Sequence, residues 1–277
     1  MKVLLVVNAA KEAALRCAEQ AQQMLRAAGA GCAVFHTDPS CTAPQCGEEA
    51  AVQDCDVVVT IGGDGTLLHA AAYAARCDKP VLGINVGRVG FLATVEETEL
   101  QLLAKLVKNE YTLDERLMLC ARVDGAAHYR SDALNDVVIS KGVGTNTIRF
   151  DIYCDDILVN SYRGDGVILA TPTGSTAYSL SAGGPILDAR IDGILVTPIC
   201  AHSLNTPPMV FSARRSLRVV TAEYGAGQAY LSSDGRDSVP LGASDNITIG
   251  RSDYHLSLVS FCEADQFRAI DKKLKGR

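Results

Sequence analysis

Six consecutive residues, Ile61-Gly62-Gly63-Asp64-Gly65-Thr66, leave few choices for the chain around them. They follow the apolar run Val57-Val58-Val59 and lead into a helix-compatible run over residues 67–75, giving strand, glycine turn, helix. Glycine lets the backbone take φ > 0 and approach a ligand closely. The N–H groups freed at such a turn and at the helix N-terminus offer donors and a positive dipole to oxyanions, so a polyphosphate fits. Asp64 is the discordant member, because a carboxylate repels phosphate. Phosphoryl transfer uses an Asp in this setting to accept the proton of an attacking hydroxyl, or as an indirect metal ligand. The competing reading is a connecting turn in which Asp64 caps the helix that follows.

Upstream and downstream, strands alternate with helices. Residues 2–8 read as a buried strand, 11–28 as a helix with apolar residues spaced near 3.6, and 32–37 as a second strand. A loop over 38–47 carries two prolines and two cysteines, and strands follow over 57–61 and 80–85. A second glycine turn, Gly87-Arg88-Val89-Gly90-Phe91, precedes a helix over about 98–108. This alternation predicts a doubly wound, Rossmann-like parallel sheet, whose ligands bind at the carboxyl ends of its strands. Past residue 113 the helical period is lost. Short β-rich runs follow over 117–123, 137–140, 148–154, 157–162, 167–171, 194–199, 217–222, 230–233, 247–250 and 256–262. Turn signals such as Asp124-Gly125 and Asp155-Asp156 separate them. The expectation is an α/β phosphate-binding domain over 1–113, then an antiparallel β domain of sandwich type over 114–262. A C-terminal helix over 263–277 is expected to pack back on the first domain.

Composition removes several function classes. A net charge of −6 with no basic block argues against a nucleic-acid partner. No apolar run approaches the roughly 20 residues that span a bilayer, and Val3 to Val7 is too short for a signal-peptide core. A cytoplasmic location is expected. The ten cysteines are scattered, with no CxxC pair, and read as small buried residues; Cys41 and Cys46 lie closest together.

A second constellation lies in the β-rich half. Arg163-Gly164-Asp165-Gly166 links two β runs, and Thr171-Pro172-Thr173-Gly174-Ser175-Thr176-Ala177-Tyr178-Ser179-Leu180-Ser181 follows. Its hydroxyls and free amides are neutral donors and acceptors suited to a base edge and sugar hydroxyls. Tyr178 offers a flat face to a purine. The alternative is a Ser/Gly-rich loop opening a helix, with Tyr178 in the core.

The string Gly62-Gly63-Asp64-Gly65-Thr66 alone resembles a signature shared by NAD kinases, diacylglycerol and sphingosine kinases and phosphofructokinase. Taken with Asn135-Asp136 and the run from Gly164 to Ser179, the chain resembles the ATP-NAD kinase family over nearly its whole length. Gly83 to Leu92 and Pro198 to Leu204 are similar to that family too. The resemblance implies transfer of a phosphoryl group to the 2′-hydroxyl of the adenosine ribose of NAD, giving NADP. ATP or another phosphate donor, such as polyphosphate, would supply the group, with magnesium or another divalent cation. On this resemblance Asp64 is the proton acceptor, and Gly62, Gly63 and Gly65 form the turn around the phosphates. Asn135 and Asp136 contact NAD near the ribose, and Thr176, Ala177, Tyr178 and Ser181 enclose adenine. Arg163 and Asp165 line the nicotinamide side or a neighbouring subunit's contact, and Arg236 is a further NAD contact. The family's pocket lies between its two domains and is often completed by another subunit of a homodimer or homotetramer. Glu is common in the family where Asp136 stands, and an Arg often follows where this chain has Thr206-Pro207-Pro208. Lys11 and Arg88 are possible phosphate contacts, each with a solvated-charge alternative, and His202 reads as a loop residue. The rivals are a kinase of a lipid or sugar and a non-catalytic NAD-binding module. The first gives no reason for the hydroxyl-rich block, and the second gives none for Asp64.

Overall fold

The structure, a computed structural model, describes residues 1–37, 47–87, 90–93, 95–125, 128–143, 146–203, 205–222, 228–236, 238–242, 245–262 and 269–271. Cys41, Cys46, Arg88, Leu204 and most of the expected C-terminal helix lie outside the described residues, and within that helix only 269–271 are seen, as helix. The chain forms two compact units, Met1–Arg116 with His255–Arg277, and Leu117–Tyr254.

In the first unit β1 (Lys2–Asn8), α1 (Glu12–Ala27), β2 (Gly31–Thr37), α2 (Glu48–Gln53), β3 (Val57–Gly62), α3 (Asp64–Arg76) and β4 (Val81–Asn85) alternate. Their strands pair in the order β2-β1-β3-β4, all parallel, and the short β5 (Val95–Glu96) adds to β4. Parallel strands covered on both faces read as continuous apolar runs. Val3 to Val7, Val57 to Val59 and Ile61 are accordingly all buried. One face of α1 (Ala14, Cys17, Ala18, Ala21, Leu25) packs with Leu5, Val7, Val59 and Ile84. The order reverses at β1, which has β2 on one side and β3 on the other. The loops after β1 and β3 therefore flank the switch point where such sheets bind ligands. The helix expected over 98–108 is a 3-10 segment, Glu97–Leu102, followed by α4 (Leu103–Val107), with a non-helical residue at Glu99.

The second unit holds most of β6 (Thr112–Asp124), then β7 (Tyr129–Ala133), β8 (Asp136–Lys141), β9 (Ile148–Cys154), β10 (Ile157–Gly164) and β11 (Gly166–Ala170). A 3-10 turn (Thr173–Thr176) and α5 (Tyr178–Ser181) interrupt the strands. The remainder are β12 (Gly193–Ile199), β13 (Met209–Ser212), β14 (Leu217–Ala222), β15 (Ala229–Ser233), β16 (Val239–Leu241) and β17 (Asn246–Ser260). One sheet runs β13-β12-β11-β8-β15-β16 and is antiparallel throughout. Strands β10, β9, β14 and the first part of β17 form the other. Alternate residues of β9 (Ile148, Phe150, Ile152, Cys154) point into a cluster shared with Val167, Leu169, Ile194, Val196 and Leu231 of the facing sheet. That is the packing of a β-sandwich. Asp155 and Asp156, at φ 46 and 66, make the two-residue turn between β9 and β10, the conformation that right-twisted hairpins need. The runs expected as separate strands over 247–250 and 256–262 are one strand, β17, because no breaker interrupts Arg251 to His255.

Phe150 is fully buried and stacks on Tyr162 with ring centroids 5.5 Å apart. Phe150→Ala is expected to lower unfolding free energy by about 3–5 kcal/mol, as for large-to-small changes in other cores, measured by urea denaturation.

Candidate active site

In the first unit the glycine turn sits where the sequence places it, but for another physical reason. None of Gly62, Gly63 and Gly65 has φ > 0, and Gly63 is extended at φ −155. What Gly62 supplies is room, since a Cβ there would collide with the Thr66 hydroxyl and come within 3.1 Å of Asn8 Cβ. A Cβ on Gly63 would lie 3.7 Å from Lys11 Nζ and 4.0 Å from Asn85 Oδ1, whereas Gly65 faces open space. The turn at the end of β3 thus meets side chains from the ends of β1 and β4. Lys11 Nζ is 3.5 Å from the Val86 carbonyl oxygen. The buried atoms Asn85 Oδ1 and Thr66 Oγ1 have no hydrogen-bond partner among the described residues.

Asp64 opens α3 without capping it. Gly63, which has no side chain, is the N-cap residue. The carboxylate instead accepts three consecutive backbone N–H groups from the loop after β4: Phe91 to Oδ2 at 2.8 Å, then Leu92 and Ala93 to Oδ1 at 3.1 and 3.2 Å. Gly90 makes room, because a Cβ there would overlap the Asp64 carboxylate. An ionised carboxylate has about four lone-pair sites, so among the described residues three are taken and one on Oδ2 is left. The expected conflict between Asp64 and a phosphate is relieved by this arrangement. The negative charge is held by the 91–93 amides, while the first amides of α3 precede the earliest intrahelical bonds, Thr66 and Leu67 N–H to the Gly63 carbonyl. Those donors, without a partner among the described residues, and the dipole can face an anion.

In the second unit Asn135 and Asp136 lie at the start of β8, 8% and 5% exposed. The Asn135 carbonyl accepts the Thr171 N–H at 2.9 Å, and Gly174 approaches its backbone so closely that any Cβ would overlap it. Thr171 is buried and bridges the two segments: its hydroxyl donates to the Leu134 carbonyl at 2.6 Å and accepts the Gly174 N–H at 2.9 Å. This fastens the hydroxyl-rich block to the Asn-Asp pair. Within the block, Ser175 and Ser179 are buried and satisfied internally, by Pro172, Leu187 and Thr197. Thr176 donates to the Thr173 carbonyl at 3.1 Å, and Ala177 closes the 3-10 turn through its N–H to Gly174. Tyr178 is 46% exposed and Ser181 is exposed, so Tyr178 is not a core residue. Arg163 and Asp165 stand apart. They precede β11, whereas Thr171 and the Asn-Asp pair lie at its other end, about 16 Å away at a strand's rise per residue. Asp165 is ion-paired with Lys141 at 2.9 Å.

One group absent from the sequence reading organises this half. Asp234, its side chain 1% exposed, accepts N–H bonds from Leu134, Asn135 and Asp136 at 2.8, 2.7 and 3.1 Å. Arg236 holds that turn in place, donating to the carbonyls of Asp132 and Ser233 and lying 3.6 Å from the Asp234 carboxylate. Only the Asp234-Gly235 turn signal hinted at the position. Burial, and then the adjacent Asp234 charge, push the Asp136 carboxyl up from its usual 3.8 to about 7. Burial also raises the Asp234 carboxyl, against Arg236 and the three N–H donors. With those donors and Arg236, Asp234 is the charged member of the pair and Asp136 carries the proton near neutrality.

Two family domains match the chain, the ATP-NAD kinase N-terminal domain over residues 3–111 and the ATP-NAD kinase C-terminal domain over 134–261. The NAD kinase of Symbiobacterium thermophilum is 39% identical across 99% of both chains, and that of Hahella chejuensis is 40% identical across 74% of this chain and 70% of its own. A yeast NADH kinase solved with NADH superimposes with a TM-score of 0.86 at 25% identity, covering 99% of this chain and 87% of that one. An NAD kinase from Archaeoglobus fulgidus solved with ATP gives 0.78 at 27% identity over the full length of both.

Because Asp136 binds its proton more tightly folded than unfolded, its own contribution to stability is fully present below about 3.8 and is lost as pH rises to about 7. Asp136→Asn should flatten that part of the profile, read by urea midpoints between pH 4 and 8. Gly90→Ala should displace the Asp64 carboxylate from the 91–93 amides, read as faster amide exchange at those three residues.

Proposed function

The chain belongs to the ATP-NAD kinase family, and we propose that Asp64 is the proton acceptor of its reaction. It is an enzyme that transfers a phosphoryl group from ATP to NAD. The 2′-hydroxyl oxygen of the adenosine ribose bonds to the γ-phosphorus, the bond to the β–γ bridging oxygen breaks, and ADP leaves as NADP forms. The hydroxyl proton passes to the remaining lone pair on Asp64 Oδ2. A carboxylic acid is far stronger than a sugar alcohol, so the proton moves late, after the new bond has begun to form. The observation carrying this reading is the position of Asp64 at the start of α3, beside the sheet's switch point, with its charge turned onto the Phe91, Leu92 and Ala93 amides. The turn of Gly62, Gly63 and Gly65 then receives donor phosphates on the α3 amides, with Lys11 beside Gly63.

In the second unit Asn135 and Asp136 take the ribose of NAD, and Thr176, Ala177, Tyr178 and Ser181 enclose the adenine. The exposed ring of Tyr178 supports stacking. Arg236 acts on NAD through the Asp234 turn, given its backbone bonds. Magnesium suits the donor's phosphates, which it would charge-neutralise during transfer. Among the described residues no three His, Cys, Asp or Glu side chains converge to hold a metal, so the ion would be carried on the nucleotide, as Mg²⁺ commonly is. We further propose a homodimer or homotetramer in which Arg163 and Asp165 serve a neighbouring subunit. Their distance from Asn135 along β11 supports that role, as do the exposed Ile157 and Leu158 of β10. No described helix is long and apolar enough to cross a membrane, and the substrates are those of a cytoplasmic enzyme.

Incubation with NAD and magnesium ATP should yield NADP, read by a dehydrogenase specific for NADP. Asp64→Asn should lower the single-turnover rate about 10²–10⁴-fold with NAD affinity nearly unchanged. Asn135→Ala should weaken NAD binding by about 1–3 kcal/mol in calorimetry, with a smaller effect on the chemical step. Near wild-type turnover in Asp64→Asn would leave Asp64 as a loop anchor alone.

A further inference from the structure

Three successive amides of the Leu134-Asn135-Asp136 segment end on the Asp234 carboxylate. Those amides come from residues 98 to 100 positions earlier in the chain, across the gap between β7 and β8. The return contact is also made, since the Asp234 N–H donates to the Asp136 carbonyl at 2.9 Å. The segment is therefore gripped on donor and acceptor sides by one residue. Ser233, just before it, shares a 2.5 Å hydrogen bond with Ser131, and Arg236, just after it, bonds the Asp132 carbonyl.

We propose that Asp234 is a positioning residue for the acceptor nucleotide: it fixes the backbone from which Asn135 and Asp136 project, and its charge bears on the Asp136 side chain beside it. This rests on the reading that Asn135 and Asp136 contact NAD. All three amides spend their hydrogen bonds on Asp234, so none is left to carry the Asp136 side chain's charge. Asp136, 5% exposed, has no described donor of its own. A buried acid beside a buried carboxylate keeps its proton. The charged groups of the cluster are Asp234 and Arg236 from the turn after β15 and Asp132 from β7, whose carboxylate accepts the Ser252 hydroxyl at 2.6 Å. A ribose hydroxyl is held more strongly by a carboxylate than by a neutral acid. NAD affinity should therefore rise as pH climbs through about 7, where Asp136 ionises.

The test is NAD binding by calorimetry between pH 5.5 and 8.5, without a phosphate donor, on the full-length protein. Asp234→Asn keeps the shape and an acceptor for Asn135 and Asp136, but sets an amide NH₂ against the Leu134 N–H and removes the charge. It should weaken NAD binding at least tenfold at pH 8 and move the midpoint of the pH profile down by a unit or more. Arg236→Gln leaves the three N–H bonds in place and removes the counter-charge, so its midpoint should move up. If Asp234→Asn does not fold, that upward shift alone supports the assignment, and an unmoved midpoint overturns it. A merely structural Asp234 would weaken binding equally at every pH, and that result also overturns it. Asn135→Ala and Asp136→Asn separate the two readings. If both bind NAD like the wild type, the acceptor site itself is wrongly placed. If both weaken while Asp234→Asn matches the wild type in affinity and midpoint, only the role of Asp234 fails.

Discussion

A carboxylate that accepts several consecutive backbone N–H groups is the interaction on which the candidate residues of each unit depend. Hydrogen bonds to an ionised acceptor are about twice as strong as neutral ones, and successive amides can share one acceptor only if the backbone curls around it. Asp64 does this for residues 91–93 and Asp234 does it for residues 134–136. In each unit one side chain, at the start of α3 or in the turn after β15, thereby sets the path of a segment distant in sequence. Loops lack the repeating ladder that makes strands rigid, so a fixed charge at the centre of the curl is what gives them one conformation.

The two clasps have opposite chemical effects. In the first unit the clasp draws the charge of Asp64 away from the α3 N-terminus, which leaves the helix start positive while a carboxylate stands beside it. An anion at the helix start and a carboxylate can then share a small region without the repulsion that the sequence suggests. In the second unit the clasp concentrates charge on Asp234, 1% exposed, and Asp136 beside it responds by holding its proton to about pH 7.

The strands were legible because burial on both faces of a parallel sheet writes unbroken runs such as Val3 to Val7, and one-sided burial writes the alternation of Ile148, Phe150, Ile152 and Cys154. Helix α2, strand β7 with its polar Tyr-Arg-Ser-Asp-Ala and the short β13 and β16 lack such patterns and were not expected. The glycines of the first turn were legible as a motif, but the reason given for them, φ > 0, is not the one at work; Gly62 is there for space. The clasps were illegible for a deeper reason. Their partners are backbone amides, which every residue except proline carries, so nothing in Phe91, Leu92, Ala93 or Leu134 marks them as partners. Gly90, where a Cβ would overlap the Asp64 carboxylate, and the Asp234-Gly235 turn are traces of them.

Amide hydrogen exchange at Phe91, Leu92 and Ala93 tests the central claim most directly, because it reads the clasp without requiring turnover. In the wild-type protein without nucleotide these three amides should exchange at least a hundredfold more slowly than unstructured loop amides. In Asp64→Asn, Phe91, which would face the new NH₂ group, should lose most of that protection, while the amides of β3 and β4 keep theirs. Exchange at the unstructured rate in the wild type, or unchanged protection of Phe91 in the variant, would contradict a structure held together at its site by carboxylates on successive amides.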